Sequence, residues 1–153
     1  MSRWDPVTPR VLAACGAFLL AVLWMDLMFD VQVLGGDPSA SALASIRAYY
    51  QRVTVDSGAM AYLIGLVMLT GVGLAIVQAR RSRAGLALRI AAPALVIIPV
   101  GLALGLIFPS AQELAHTDAV ARQTELAQRI CYSHLAVFAM ISAFLGIQLT
   151  RRV

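Results

Sequence analysis

Residues 11–34 read VLAACGAFLLAVLWMDLMFDVQVL, an almost unbroken apolar run that decides the fold class of this chain. About 20 apolar residues in a helix cross the ~30 Å hydrocarbon core of a bilayer. Backbone amides in lipid find hydrogen-bond partners only within their own segment, so the run predicts a transmembrane helix. It is longer than the apolar part of a secretory signal peptide, which favours a retained span. Its only charged side chains are Asp26 and Asp30.

Three further apolar runs extend this pattern to the whole chain. The predicted spans are 11–34, 57–79, 88–108 and 129–150, each close to spanning length. The chain is 60% hydrophobic and 13% charged, a composition that a soluble domain of this size cannot bury. We therefore predict an all-α integral membrane protein whose residues 1–153 form a single four-helix transmembrane domain.

The arginines predict the orientation of the spans. All twelve basic residues are Arg, which together with the abundant Ala, Leu and Gly is typical of a GC-rich bacterial genome. Eight of them precede the first span, separate the second from the third, or end the chain: Arg3, Arg10, Arg80, Arg81, Arg83, Arg89, Arg151 and Arg152. The positive-inside rule then predicts an up-down bundle of two hairpins in the bacterial inner membrane, with both termini cytoplasmic. A net charge of +4 distributed in this way suits anionic lipid headgroups and argues against nucleic acid as a partner.

The linker between the first two spans predicts a short helix at the outer interface. Asp37 can cap a helix that begins at Pro38. One face of that helix is apolar at helical spacing: Leu43, Ile46, Tyr50 and Val53. Aromatic side chains favour the headgroup level, where we expect Tyr49 and Tyr50.

The linker between the last two spans predicts a second outer helix. Pro109 is expected to end the third span. Ser110 and Glu113 then have the spacing of a capping box. The polar stretch 118–130 runs directly into the fourth span and carries Arg and Glu at ion-pair spacing.

Asp26 and His134 are predicted to lie at the same depth. Counting about 1.5 Å per residue from the cytoplasmic ends, Asp26 lies about 22 Å up the first span and His134 about 24 Å up the fourth. Ionisable groups at depth commonly line ligand or proton paths. The predicted polar pocket near the outer side therefore contains Asp26, Asp30, His134 and Tyr62, provided that the first and fourth spans are neighbours. The structural alternative is that Asp30 reaches water or pairs with Arg52 or Arg129.

A metal site is a further hypothesis for this pocket. Carboxylate and imidazole ligands would come from Asp26, Asp30, His134 and Glu113, with His116 in the same outer loop. A softer set favours copper instead: Met25, Met28, Met60, Cys131 and His134. Neither set has a diagnostic spacing, and methionine usually fills cores, so the sequence identifies no cofactor.

Small residues predict where helices pack closely. Gly101 and Gly105 form a small-xxx-small pair in the third span, and Ser142 with Gly146 forms one in the fourth. Such pairs serve equally well to fold a bundle or to join another subunit.

Three classes of function fit these features. The leading hypothesis is a binding or interaction protein, either an accessory subunit of a membrane complex or a binder of a lipophilic ligand, because the sequence contains no complete catalytic set. Its partners would be the bilayer and a membrane protein or a second copy of the chain. The alternative is a membrane enzyme, metal-dependent or not, that acts on a lipid or quinone at the outer leaflet. An ion- or proton-coupled transporter fits less well, because the cytoplasmic half of every span lacks an ionisable residue.

Overall fold

The computed structural model of the chain describes residues 7–56, 58–82 and 84–150, and nearly all of them are helical. The helices are α1 (Val7–Asp30), α2 (Ala40–Tyr50), α3 (Gly58–Arg81), α4 (Leu86–Leu102), α5 (Phe108–His116) and α6 (Val120–Thr150). A 3₁₀ turn, Val31–Val33, follows α1, and π-helical segments, Gln51–Val55 and Ala103–Ile107, follow α2 and α4. No strand occurs in the described ranges, which confirms the all-α prediction.

Four segments are long and apolar enough to cross a membrane. They are Val7–Val33, Gly58–Arg81, Leu86–His116 and Val120–Thr150. The prediction of four spans is therefore confirmed, and the chain is a multi-pass membrane protein. The last two segments are longer than predicted, because the polar stretches beside them continue the same helices.

Each spanning helix packs against two of the others, an arrangement that is consistent with a four-helix bundle. The first and last spans, α1 and α6, lie side by side, α3 packs against α1 and α4, and α4 also packs against α6. Two glycines allow close approach: a Cβ on Gly16 would lie 3.6 Å from the Leu145 Cβ, and one on Gly71 would lie 3.7 Å from a Val96 methyl carbon. Lipid is as apolar as these side chains, so van der Waals packing and interhelical hydrogen bonds hold such helices together.

The α3 helix contacts the other spans mainly through its second half. Its buried residues are Gly71, Ala75 and Gln78. Residues 58–63, at the end of α3 next to α2, are all exposed. The side of α1 that faces α3 is therefore left uncovered at this end of the protein, which we call the α2 end.

The α2 helix docks on the spans more deeply than an interfacial helix would. It begins at Ala40 rather than Pro38, because the Ser39 side chain, and not Asp37, caps it by accepting a hydrogen bond from the Ala42 amide. Its predicted apolar face is buried at Leu43, Ile46 and Tyr50. Val53 is 37% exposed, because the π-helical segment changes the residue spacing and turns this side chain away from the face.

Pro109 does not end the third span as predicted. The helix passes through the segment Ala103–Ile107, where the Phe108 amide bonds to the Ala103 carbonyl in π-helical spacing, and continues as α5. Such widened turns accommodate a proline ring in a helix. The predicted capping box is also wrong, because Ser110 lies buried within α5 and Glu113 binds Arg122 instead.

Candidate functional site

A cluster of five polar side chains lies at the α2 end, where α1, α2 and α6 meet. Its members are Asp26, Asp30, Tyr49, Tyr50 and His134, and we call it the Asp–His cluster. The two aspartates are four residues apart and therefore lie on the same face of α1. The tyrosines are consecutive at the end of α2, with their rings edge to face at 5.3 Å between centroids.

Asp30 is the buried centre of the cluster. Its side chain is 0% exposed, and each carboxyl oxygen has a hydrogen-bond partner. The Tyr50 hydroxyl donates to Oδ1 over 2.6 Å, and His134 Nδ1 lies 2.6 Å from Oδ2. Asp30 is fully buried and bound by Tyr50 and His134, Arg129 pairs with Glu125, and no ion pair of Asp30 with Arg52 occurs in the described ranges.

Asp26 forms the outer part of the cluster. Its Oδ1 accepts a hydrogen bond from the Tyr49 hydroxyl, and the Tyr49 ring stacks on Phe29 with 4.2 Å between centroids. Its Oδ2 faces His134 Nε2 at 3.8 Å, which is too long for a hydrogen bond. The Asp26 side chain is 15% exposed.

Both tyrosines are held as hydrogen donors. Burial in α2 raises the pKa of Tyr49 and of Tyr50 above the ordinary value of a phenol, and the neighbouring carboxylates raise it further. Each hydroxyl therefore keeps its proton and donates to an aspartate, which allows a carboxylate to lie within apolar surroundings at reduced cost.

The outer part of the cluster is open. Among the described residues, the fully buried side-chain atoms without a hydrogen bond are Gln78 Oε1 and Gln148 Nε2. Asp26 Oδ2 and His134 Nε2 also make no hydrogen bond within the described chain, so they are not sealed from the surroundings.

The structure brings together three of the predicted pocket residues and separates the others. Asp26, Asp30 and His134 meet as described above. Tyr62 is 82% exposed on the uncovered part of α3. Glu113 lies on α5, where Arg122 donates to both of its carboxylate oxygens over 2.7 and 2.9 Å.

Metal ligation finds no support in this geometry. Asp30 uses both oxygens within the cluster, and Glu113 is held by Arg122. In residues 7–56, 58–82 and 84–150, no three His, Cys, Asp or Glu side chains are arranged to hold an ion. The metal hypothesis stays a prediction from residue types alone.

Sequence reasoning missed Tyr49 and Tyr50 as members of the site. It placed both at headgroup level, whereas Tyr50 is 2% exposed and Tyr49 half-buried. One signal was present: Tyr50 continues the apolar face formed by Leu43 and Ile46, and a buried phenol needs a hydrogen-bond partner.

The glycines predicted to pack helices lie on open surface. A Cβ added at Gly101, Gly105 or Gly146 would meet nothing within 4 Å in the described chain, and Ser142 is half-buried. The three glycines therefore make no close helix contact within the described chain, whereas Gly16 and Gly71 do.

Two other polar features lie away from the cluster. Gln78 and Gln148 join α3 to α6 through a buried hydrogen bond of 3.0 Å, and each leaves one amide atom unpaired. A cleft of about 480 Å³ lies beside α2, with Arg47 on its wall. Arg47 pairs with Asp118 over 2.8 Å and donates to the Ala115 carbonyl, so it ties α2 to the connection between α5 and α6.

The Asp–His cluster is chemically asymmetric. Asp30 orients the imidazole through Nδ1, as a carboxylate orients the base of many catalytic sites, and Nε2 is left to face Asp26. Asp30 therefore fixes the orientation of the imidazole, whereas Asp26 Oδ2 and His134 Nε2 make no hydrogen bond within the described chain. No protein-family model matches this chain, and no curated protein or solved structure shows a significant similarity to it.

Proposed function

We propose that this protein binds a lipophilic molecule whose polar head reaches the Asp–His cluster from the membrane. The observation that supports this proposal is the pair of atoms Asp26 Oδ2 and His134 Nε2, which face each other at 3.8 Å without a hydrogen bond. An ionisable residue within a span costs ~2.5 kcal/mol or more near the bilayer centre and usually has a function.

The proposed setting is the bacterial inner membrane, with the spans in an up-down bundle of two hairpins and the α2 end facing outward. Support comes from the count of arginines in the sequence: eight precede the first span, separate the second from the third or end the chain, against four in the two connections at the α2 end, namely Arg47, Arg52, Arg122 and Arg129. Both termini would then be cytoplasmic.

Cysteine labelling tests this orientation, because Cys15 and Cys131 are both buried. In intact cells, Asp118→Cys should react with a membrane-impermeant maleimide and Arg81→Cys should react only after lysis. The reverse pattern would refute the orientation.

Ligand binding is tested by gentle extraction from native membranes followed by native mass spectrometry, with metal analysis of the same sample. We expect a copurifying lipophilic molecule that is lost in Asp26→Asn and kept in Asp118→Asn, the same change at an exposed site. Loss in both variants, or in neither, would contradict the proposed site.

A second candidate is a membrane enzyme that acts on a lipid or quinone at the outer leaflet. The specific support is the Asp30–His134 contact of 2.6 Å, which leaves Nε2 positioned as a general base towards Asp26. His134→Gln and Asp26→Asn would then abolish turnover while circular dichroism shows an unchanged helix content. Full turnover in both variants would exclude this mechanism.

An accessory role in a membrane complex stays compatible with ligand binding. The open surface around Gly101, Gly105 and Gly146 supports contact with another chain, because small residues let transmembrane helices approach closely. Gly105→Leu should remove a copurifying partner while the ligand stays bound. If the partner stays in Gly105→Leu, this surface is not the contact.

A further inference from the structure

The cleft beside α2 combines an apolar wall with a few polar side chains. Its volume is about 480 Å³, and four of the residues that line it are alanines. The polar lining residues are Arg47, Gln51 and Gln123, and Arg47 is the only charged one among the described residues that form the wall. Ligand sites of ~300–1,000 Å³ hold molecules of drug size, so a lipid headgroup has room in this cleft.

Arg47 keeps unused hydrogen-bond donors at the cleft. A guanidinium group has five N–H donors. In Arg47, Nε donates to the Ala115 carbonyl over 3.2 Å and Nη1 donates to Asp118 over 2.8 Å. The other three N–H groups have no partner within the described chain, and the side chain is 35% exposed. Arg47 can therefore bind an anionic group from outside the chain.

The carboxylate that already pairs with Arg47 is a weak competitor for such a group. The Asp118 side chain is 89% exposed, and ion pairs at this level of exposure contribute little because water and salt screen them. A phosphate group matches the planar guanidinium with two oxygens at once. A phosphate can therefore share Arg47 with Asp118, or replace Asp118, at small cost.

The two glutamines offer further hydrogen-bonding atoms beside Arg47. Gln123 Nε2 donates to the Thr117 carbonyl over 2.8 Å, which leaves Gln123 Oε1 as an acceptor. The side chain of Gln51 makes no hydrogen bond within the described chain. Each free amide oxygen can accept from a headgroup hydroxyl, and the Gln51 amide can also donate to a phosphate oxygen.

The length of α6 brings the cleft to the headgroup layer of the bilayer. The 31 residues of α6 rise ~46 Å, which exceeds the ~30 Å hydrocarbon core and equals the ~40–45 Å of a bilayer with both headgroup layers. Val120 and Gln123, which line the cleft, lie in the first turn of this helix. Phospholipid phosphates occupy the same layer.

We propose that this cleft binds the phosphate group of a phospholipid, with Arg47 as its anchor and with Gln51 and Gln123 as partners of the adjoining headgroup. No member of the Asp–His cluster lines the cleft, so this site is separate from the ligand site proposed above and does not rest on it. A soluble phosphate ester presents the same chemistry without acyl chains, and the test distinguishes the two sources.

The test compares three probes on the purified protein in an uncharged detergent. Dihexanoyl phosphatidylglycerol has both phosphate and chains, dihexanoylglycerol lacks the phosphate headgroup, and glycerophosphoglycerol lacks the chains. Native mass spectrometry at increasing probe concentration measures each dissociation constant. We expect the complete lipid to bind at least about tenfold more tightly than either of the others, because it forms charge-assisted hydrogen bonds and its chains hold it in the micelle beside the cleft.

Two variants break the same ion pair and separate the anchor from the packing of α2. Arg47→Gln removes the anchor and should weaken binding of the complete lipid at least about tenfold. Asp118→Asn removes the competitor and should tighten binding by about two- to fivefold. Arg52→Gln removes an arginine that does not line the cleft and should leave binding unchanged.

Each outcome supports or overturns the proposal. Tight binding of the complete lipid that is lost only in Arg47→Gln supports it. Equal binding of dihexanoylglycerol overturns a phosphate site, and equal binding of glycerophosphoglycerol overturns a lipid as the source of the phosphate. Loss of binding in both Arg47→Gln and Asp118→Asn overturns the role of Arg47 as the anchor, as does full binding in Arg47→Gln. Loss of binding in Asp26→Asn would place the probe at the Asp–His cluster and overturn the separate site.

Discussion

Replacing Tyr50 by Phe tests whether the buried part of the cluster holds α2 on the spans. The change removes one hydroxyl and keeps the ring, so the packing of this 2%-exposed side chain is preserved. What is lost is the 2.6 Å hydrogen bond to a carboxylate that is 0% exposed and has one other partner.

Two magnitudes apply to this loss. Hydrogen bonds to charged groups contribute ~1.5–3 kcal/mol when the unfolded partner returns to water. Those between transmembrane helices average only ~0.6 kcal/mol, because the unfolded helices in lipid find other partners. The larger energy applies to the Tyr50–Asp30 hydrogen bond, because α2 lies outside the spanning segments and Tyr50 meets water once α2 detaches. We expect Tyr50→Phe to lower the free energy of unfolding by about 2 kcal/mol.

Three further Tyr→Phe changes supply matched controls. Tyr49→Phe should cost less, under about 1 kcal/mol, because Asp26 is 15% exposed and water can replace the lost donor. Tyr62→Phe and Tyr132→Phe should have no effect, since both side chains are mostly exposed and make no hydrogen bond within the described chain.

The assay is reversible unfolding in mixed micelles, with hydrogen exchange of the α2 amides as a local measurement. The expected order is Tyr50 first, Tyr49 second and the two exposed residues last. A cost for Tyr49→Phe equal to or above that of Tyr50→Phe would refute the argument that burial of Asp30 controls the docking of α2.

Three other predictions follow from the same interactions. Folding raises the pKa of Tyr49 and Tyr50, so their contribution to the free energy of unfolding is complete below about pH 10. Above that pH the contribution is lost, because the tyrosines of the unfolded chain ionise first. Unfolding measured at increasing alkaline pH should show this loss of stability, and the loss should be smaller in the double Tyr49→Phe, Tyr50→Phe variant. Gln78→Leu should destabilise the protein by under about 1 kcal/mol in micelle unfolding because it removes a hydrogen bond between two spanning helices, whereas replacing both glutamines by Leu should restore stability. Glu113→Gln should leave unfolding unchanged, since its ion pair with an arginine is exposed, and a measurable loss would contradict this assignment.

Depth could be predicted from the sequence because the rise of a helix is fixed. Counting residues placed Asp26 and His134 at one level, and the four spans followed from apolar runs alone. The contact itself also required α1 and α6 to be neighbours, which the sequence could only assume. The structure supplies that neighbour relation.

The remaining features depend on tertiary contacts that local patterns do not encode. Tyr49 and Tyr50 reach the aspartates because α2 docks on α1 and α6, although the same amphipathic pattern fits a helix that floats at an interface. A proline ends a helix where the preceding turn cannot widen to accommodate its ring. A π-helical turn precedes Pro109, and the helix continues through it. Gly101 and Gly105 have small-residue spacing yet meet no neighbouring helix within the described chain, so the spacing alone does not predict which helices pack closely.

The order in which the partners of Asp30 lie along the chain determines when each is synthesised. Tyr50 follows Asp30 by 20 residues, whereas His134 follows it by 104. At translation rates of ~5–20 residues per second, on the order of 5–20 s separate the synthesis of Asp30 from that of His134. The nascent α1 therefore enters the bilayer shortly before Tyr50 is made and well before His134 is made. The Asp–His cluster is completed only when α6 packs against α1.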